Sequence, residues 1–424
     1  MKRRVVGLKC IKCGAEYPIS KLFNGCPSCR TDKFVSNLIV TYDFEAISSE
    51  ISRDLFLKRP KELGVWRYKE LLPVENEKHM ITLGEGNTQL IKAKNLEKKL
   101  HLRNLYIKNE STNPTWSYKD RLCSIAISKG LEFGAKMATV STTGNHGAST
   151  AAYAAVAGME AVIFAHPLIS ETMFAFMRAY GAKVVPVRTG EGRLFLMNKC
   201  VNELGWYPTG TFSRPMPTGN PYGTQGHKTI AYEIVEQLNF NVPDYVVVPT
   251  ANGEGLYGIW AGFNDYYTLG FIDRIPKMVA AETEMGPLAN ALKKGLDYVE
   301  KVSAKESIAL SIAGNISSYQ AFRAIRDSGG LAQPVSDSEI VEAIYLLARY
   351  EGIFPEAASA ASLAATIKLI EEGKVERDAV IITVITSAGL KDTRPLSLKI
   401  PPPIEPEWEN FTSFLKQYYN YTII

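Results

Sequence analysis

Short apolar runs, each ending in a polar stretch that carries glycine, recur along the middle of this chain. Leu105-Tyr106-Ile107-Lys108, Met137-Ala138-Thr139-Val140, Ala161-Val162-Ile163-Phe164 and Lys183-Val184-Val185-Pro186-Val187 have the length and branched content of strands. Residues 244–249, 277–282 and 379–385 share the pattern, and the last is the most hydrophobic. Segments of helical length lie between them: the run after Lys119, residues 150–156, residues 169–180 stopped by Gly181, and a helix continuing past Gly258. Strands alternating with helices predict an α/β fold, a parallel sheet covered on both faces. Tyr42-Asp43-Phe44 and Trp66-Arg67-Tyr68 read as short extended or packing segments. Gly84-Glu85-Gly86 reads as a surface turn.

Three polar loops then fall at the carboxyl ends of buried strands, at 141–149, 250–255 and 386–389. In open α/β sheets ligands bind at that edge. Thr250-Ala251-Asn252-Gly253-Glu254-Gly255 leads from a strand into a helix, where backbone N–H groups and the helix dipole make an anion cradle. A fourth loop carries Lys119. Asn113-Pro114 turns the chain, Ser117 or a neighbour caps the next helical run, and Asp120 lies in its first turn. A lysine so placed in a cleft, partly desolvated and with a lowered pKa, suits Schiff-base chemistry. A solvated lysine at the start of an amphipathic helix has the same local sequence. No nucleotide fingerprint, P-loop or nucleophile elbow is present. A phosphorylated aldehyde cofactor held by a lysine fits this inventory best.

The 424 residues suffice for two or three domains, and 46% hydrophobic with 22% charged residues is ordinary for a globular protein. A formal charge of +4 gives no reason to invoke nucleic acid or a membrane as partner. There is no apolar run of membrane-spanning length and no signal-peptide core before Cys10, so the expected location is the cytoplasm. Cys10-Ile11-Lys12-Cys13 and Cys26-Pro27-Ser28-Cys29 are two CxxC pairs joined by hairpin-like sequence. Four thiolates form a closed tetrahedral site, structural rather than catalytic, for zinc or for iron in its place. Cys123 and Cys200 read as buried small apolar residues, and no other histidine or cysteine shows ligand spacing.

The stretch Asn113 to Arg121 resembles the lysine motif of the threonine synthase family, within the fold type II pyridoxal-phosphate enzymes. Thr142–Gly147, Leu83–Leu90, Asn220–Gly226 with Lys228–Ala231, and Gly389–Asp392 also resemble the family. The N-terminal cysteine module resembles that of some archaeal members. The resemblance implies two parallel-sheet domains of the tryptophan synthase β-like class plus a small zinc ribbon. The ribbon is expected over 1–35 and a larger cofactor domain over 50–121 and 219–424, with a smaller mobile domain at 122–218.

It further implies pyridoxal 5′-phosphate as cofactor, with Lys119 as its Schiff-base lysine and Asn145 at the pyridoxal 3′ oxygen. Ala251, Asn252, Gly253, Glu254 and Gly255 would surround the phosphate, and Thr386 would meet the ring nitrogen. Thr142, Thr143, Gly144 and His146, with Trp116 and Ser117, would line the substrate side. The expected substrate is O-phosphohomoserine, converted with water to threonine and phosphate by a homodimer. Trp116, Glu254 and Ala388 depart from the family pattern. They keep open a relative doing β-replacement on O-phosphoserine (cysteate or cysteine synthesis), a serine or threonine dehydratase, and a non-catalytic relative.

Overall fold

The computed structural model describes residues 4–216 and 219–423. It comprises two compact units, Met1–Asp392 and Thr393–Ile424. The second holds the helix Trp408–Tyr419, which has no buried residue.

The first unit opens with an antiparallel ribbon of β1 (Val5–Cys10), β2 (Glu16–Tyr17) and β3 (Leu38–Tyr42), in the order β2-β1-β3. Pairing of Cys10 with Leu38 carries this sheet beyond residue 35. The ribbon is tied to distant sequence: the Tyr222 hydroxyl donates to the Ser20 carbonyl at 2.7 Å and accepts from the Ser20 N–H at 3.1 Å.

Strands β4 (Leu90–Lys92) and β5 (Asn104–Asn109) then begin a larger sheet. The chain leaves it to build a second, four-stranded sheet from β6 (Met137–Thr142), β7 (Glu160–Ala165), β8 (Lys183–Pro186) and β9 (Tyr207–Pro208). These run parallel in the order β8-β7-β6-β9. It returns with β10 (Tyr245–Pro249), β11 (Lys277–Thr283), β12 (Leu331–Val335) and β13 (Val380–Ile385). The six-stranded order is β12-β11-β10-β13-β5-β4, parallel except at the β4–β5 edge. All of β10 is buried and β13 is buried beyond its first residue. A parallel sheet covered on both faces produces the uninterrupted apolar runs seen in the sequence.

Several local expectations shift, each for a physical reason. The helix after β6 spans Asn145–Val156, earlier than residue 150, because the Thr142 hydroxyl accepts the N–H groups of Gly144 and Gly147 at 2.9 and 3.1 Å. The helix after β10 spans Glu254–Thr268, starting directly at Gly253, whose φ of +85° makes the turn. Trp66 lies in a buried 3₁₀ segment, Lys61–Leu71, instead of an extended one. Glu85, expected at the surface, is fully buried: its carboxylate accepts from the Tyr153 hydroxyl, the Leu83 N–H and the Thr82 hydroxyl. Among the described residues no helix is long and apolar enough to cross a membrane.

Candidate active site

Strand β13 lies between β5 and β10, so the loops at the carboxyl ends of these three strands are neighbours. The first, after β5, ends in the helix Lys119–Glu132, whose residues Asp120 to Gly130 are all buried. The Ser117 hydroxyl accepts the Lys119 N–H at 3.3 Å, and the Thr386 carbonyl accepts the Tyr118 N–H at 2.9 Å. The lysine loop is thereby stitched to the end of β13.

A cleft of about 330 Å³ opens above these loops. Lys119, Thr142, Thr143, Asn145, His146, Ala251, Asn252, Glu254 and Thr386 line it, gathered from both sheets. The other expected positions shape the cleft without lining it. Gly253 and Gly255 admit close packing: a Cβ would fall 2.2 Å from Ala321 and 2.5 Å from the Tyr118 ring. Gly144 has a φ of +148°. Ser117 is fully buried and pairs with Ser387 in an isolated antiparallel bridge, a second tie between the lysine loop and the end of β13. Trp116 does not narrow the cleft: its indole is 41% exposed and stacks on Phe176 with centroids 5.5 Å apart.

Lys119 reaches a single carboxylate among the described residues, with Nζ 2.8 Å from Glu254 Oε2. Burial alone would push the Lys119 pKa down, but Glu254 more than reverses this, so the pKa stands above lysine's ordinary value. The lowered pKa expected of a desolvated lysine is overturned by that neighbour. Burial works against the Glu254 charge, yet Lys119 holds its pKa below the usual carboxylate value. His146 is neutral, its pKa held down at about 3 by burial and by the Lys119 charge, and its Nε2 is buried without a partner. Asn145 donates to Glu356 at 2.6 Å and accepts from the Ser387 hydroxyl at 3.1 Å, leaving one amide proton for a ligand. The Thr386 hydroxyl meets that of Ser359 at 2.9 Å.

Sequence reasoning missed Arg193. It lies in the helix Gly190–Leu204 after β8 and lines the same cleft as the lysine, from the four-stranded sheet's side. Its Nε donates to Ser141 at 3.3 Å, and its Nη1 is buried without a partner. Burial depresses its pKa with no acidic group offsetting the effect. The available signal was Thr189-Gly190-Glu191-Gly192, a capped helix start after a strand: the Thr189 hydroxyl accepts the Gly192 N–H at 3.0 Å. Tyr222 and Lys228 lie elsewhere: Tyr222 anchors the ribbon, and Lys228 pairs with Asp265 at 2.7 Å.

The four ribbon cysteines converge. Cys10 and Cys29 sulfurs are 3.7 Å apart, Cys13 and Cys26 sulfurs 3.8 Å, and all four lie within 4.8 Å of one another.

The Lys119 amine thus lies beside a helix N-terminus at the carboxyl edge of one parallel sheet, in a cleft that residues from the second sheet also line. Residues 81–387 match the family described as pyridoxal-phosphate dependent enzyme. The fold resembles maize serine racemase, with a TM-score of 0.62 at 20% identity over 78% of this chain and 93% of that one. It also resembles processed threonine deaminase isoform 2 from Solanum lycopersicum, with 0.61 at 20% over 74% and 84%. Threonine synthase from Methanocaldococcus jannaschii is 39% identical over 91% of this chain and 92% of that protein. The Methanosarcina acetivorans threonine synthase is 36% identical over the same shares. The chain belongs to the threonine synthase family of pyridoxal-phosphate dependent enzymes.

The residues present fit that cofactor: the N-terminus of the Glu254–Thr268 helix, held close by packing of Gly253 on Ala321 and Gly255 on Tyr118, lies beside the cleft into which the Lys119 amine opens.

Proposed function

We propose that this enzyme converts O-phosphohomoserine and water to threonine and phosphate. The observation that carries the reading is Arg193, a cation without an acidic partner among the described residues, in the cleft that holds Lys119. An enzyme acting on free serine or threonine needs no such group, whereas a substrate bearing its own phosphate does.

Lys119 would hold the cofactor through its amine, the backbone of residues 251–255 its phosphate, Asn145 its 3′ oxygen and Thr386 its ring nitrogen. Bound there, the cofactor supplies the electron sink that makes protons at Cα and Cβ of an amino acid removable. Lys119 Nζ then takes and returns those protons. The Thr142–His146 loop, at the N-terminus of its helix, receives the substrate α-carboxylate, and Arg193 receives the phosphate. Neutral His146 adds a polar edge without a competing positive charge. The segment 122–218, with the four-stranded sheet, is assigned as the mobile smaller domain that closes the cleft.

The direct test is release of threonine and phosphate from O-phosphohomoserine, run beside O-phosphoserine, serine and threonine. Turnover of O-phosphoserine alone would replace this reading with β-replacement chemistry.

The cysteine cluster is assigned to structural zinc. A tetrahedron with metal–sulfur bonds of about 2.3 Å has edges of about 3.8 Å, which the paired sulfurs match. Metal analysis should return roughly one zinc per chain. Iron, or no metal after purification without chelator, would reject the assignment. The working form is assigned as a cytoplasmic homodimer, to be checked by light scattering.

A further inference from the structure

Glu254 takes no part in the proton transfers assigned to Lys119, yet it holds the one functional group on which they depend. Its carboxylate is 2.8 Å from Lys119 Nζ, and the two side chains are only 7% and 15% exposed. The contact is enforced from both sides. Gly219 packs so tightly on the Glu254 side chain that a Cβ there would fall 2.0 Å from Oε1. Lys119 is fixed by the start of its own helix. Glu254 is also the first residue of the helix whose N-terminus forms the phosphate cradle. A carboxylate aimed into an anion site opposes a phosphate there, unless its charge is matched by the lysine.

We propose that Glu254 is a lock on cofactor loading: the buried Lys119–Glu254 ion pair holds the lysine as an ammonium in the cofactor-free protein and must open before the cofactor can attach. This rests on the reading of Lys119 as the cofactor lysine. An ammonium has no lone pair to offer. Loading begins when a proton passes from Lys119 Nζ to the Glu254 carboxylate or to water. The freed nitrogen pair bonds to the aldehyde carbon, and the carbonyl oxygen leaves as water with the two protons remaining on nitrogen. The other groups that face Lys119 do not supply a rival lock. Tyr118, just before its helix, and Cys123 within it have their pKa values raised by burial and stay protonated near neutrality. His146 and His227 from facing segments are held neutral by burial. Glu356 acts at longer range, through Tyr118 and its hydrogen bond to Asn145.

The test is the rate at which cofactor-stripped protein gains its visible absorbance band on mixing with pyridoxal 5′-phosphate, followed from about pH 7 to pH 10, the range below lysine's ordinary value. In the natural protein the logarithm of the rate should climb with pH across the whole range, because the neutral-amine fraction keeps growing. In Glu254→Gln, burial without a facing charge lowers the Lys119 pKa, so the rate should be at least roughly tenfold higher at pH 7 and level off within the range. Glu254→Asp, which retracts the carboxylate, should fall between the two and serves if the glutamine variant does not fold. Equal rates with the same pH profile in all three would overturn the lock while leaving the cofactor lysine in place. Failure of the natural protein to form any band that Lys119→Ala abolishes would overturn the reading of the lysine itself.

Discussion

Lys119 and Arg121 lie two residues apart at the start of one helix, and both end on buried carboxylates, yet their surroundings differ sharply. Arg121 is caged. Its guanidinium donates to Glu110 at 2.7 and 2.8 Å, to Glu233 at 2.7 and 2.8 Å, and to the hydroxyls of Thr229 and Thr88. The carboxylates have further donors: Lys108 at 2.7 Å and the Asn87 N–H at 2.7 Å on Glu233, and Asn113 at 2.9 Å on Glu110. Lys119 has one carboxylate partner among the described residues, in a cleft. A buried ion whose every lone pair and proton is matched holds a fold in one arrangement, whereas a lone pair of charges can exchange its partner. The helix is thus clamped at Arg121, while the residue two places earlier is held by one exchangeable ion pair.

Substitutions can break this contrast, and the largest effect belongs to the reactive side. Lys119→Ala should lose the visible band and reduce threonine release by about 10⁴-fold or more. Its urea-unfolding free energy should drop by less than half of what loss of Arg121 costs. Arg121→Met strands Glu110 as a buried charge, leaves Glu233 to Lys108 alone, and should cost about 3–5 kcal/mol in the same titration. A loss below about 1 kcal/mol would show that the cage does not carry the helix. Arg193→Gln removes a cation that has no acid to strand. It should lower kcat/KM for O-phosphohomoserine by about 10- to 100-fold, the worth of a charged hydrogen bond, without lowering stability. An unchanged kcat/KM would remove Arg193 from the substrate site. The smallest effect falls on a neutral contact: Tyr222→Phe loses its two bonds to Ser20 and should cost about 1 kcal/mol. Its catalytic rate should stay the same.

The parallel-sheet fold was legible because buried strands such as β10 and β13 carry their signal locally, in every residue. The glycine loops were legible for a similar reason: the φ of +85° at Gly253 is demanded by the turn itself. What stayed hidden depended on distant partners. Glu85 reads as a surface residue between two glycines, and its burial is matched partly by Tyr153, 68 residues away, beside the local Thr82 and Leu83 donors. Trp116 falls on the substrate side by the family resemblance, but its φ of +58° turns the indole outward onto Phe176. Arg193 follows only a helix-capping signal at Thr189, and its place in the lysine's cleft comes from the second sheet. The place of Lys119 at a helix start was legible from its motif, while the sign of its pKa shift was not, since that sign is set by Glu254, 135 residues further on.

The sheet order has a consequence for synthesis of the chain. Among the described strands β13 is the last made, and it lies between β5 and β10, pairing with Tyr106 from a residue 277 positions later. Until it leaves the ribosome, the strand that leads to Lys119 and the strand that leads to the 250–255 loop lack the strand that lies between them in the sheet. At about 5–20 residues per second the lysine waits on the order of tens of seconds for its site. A nascent or prematurely ended chain therefore lacks the middle of the sheet edge beneath the cleft, which is completed only when β13 is made.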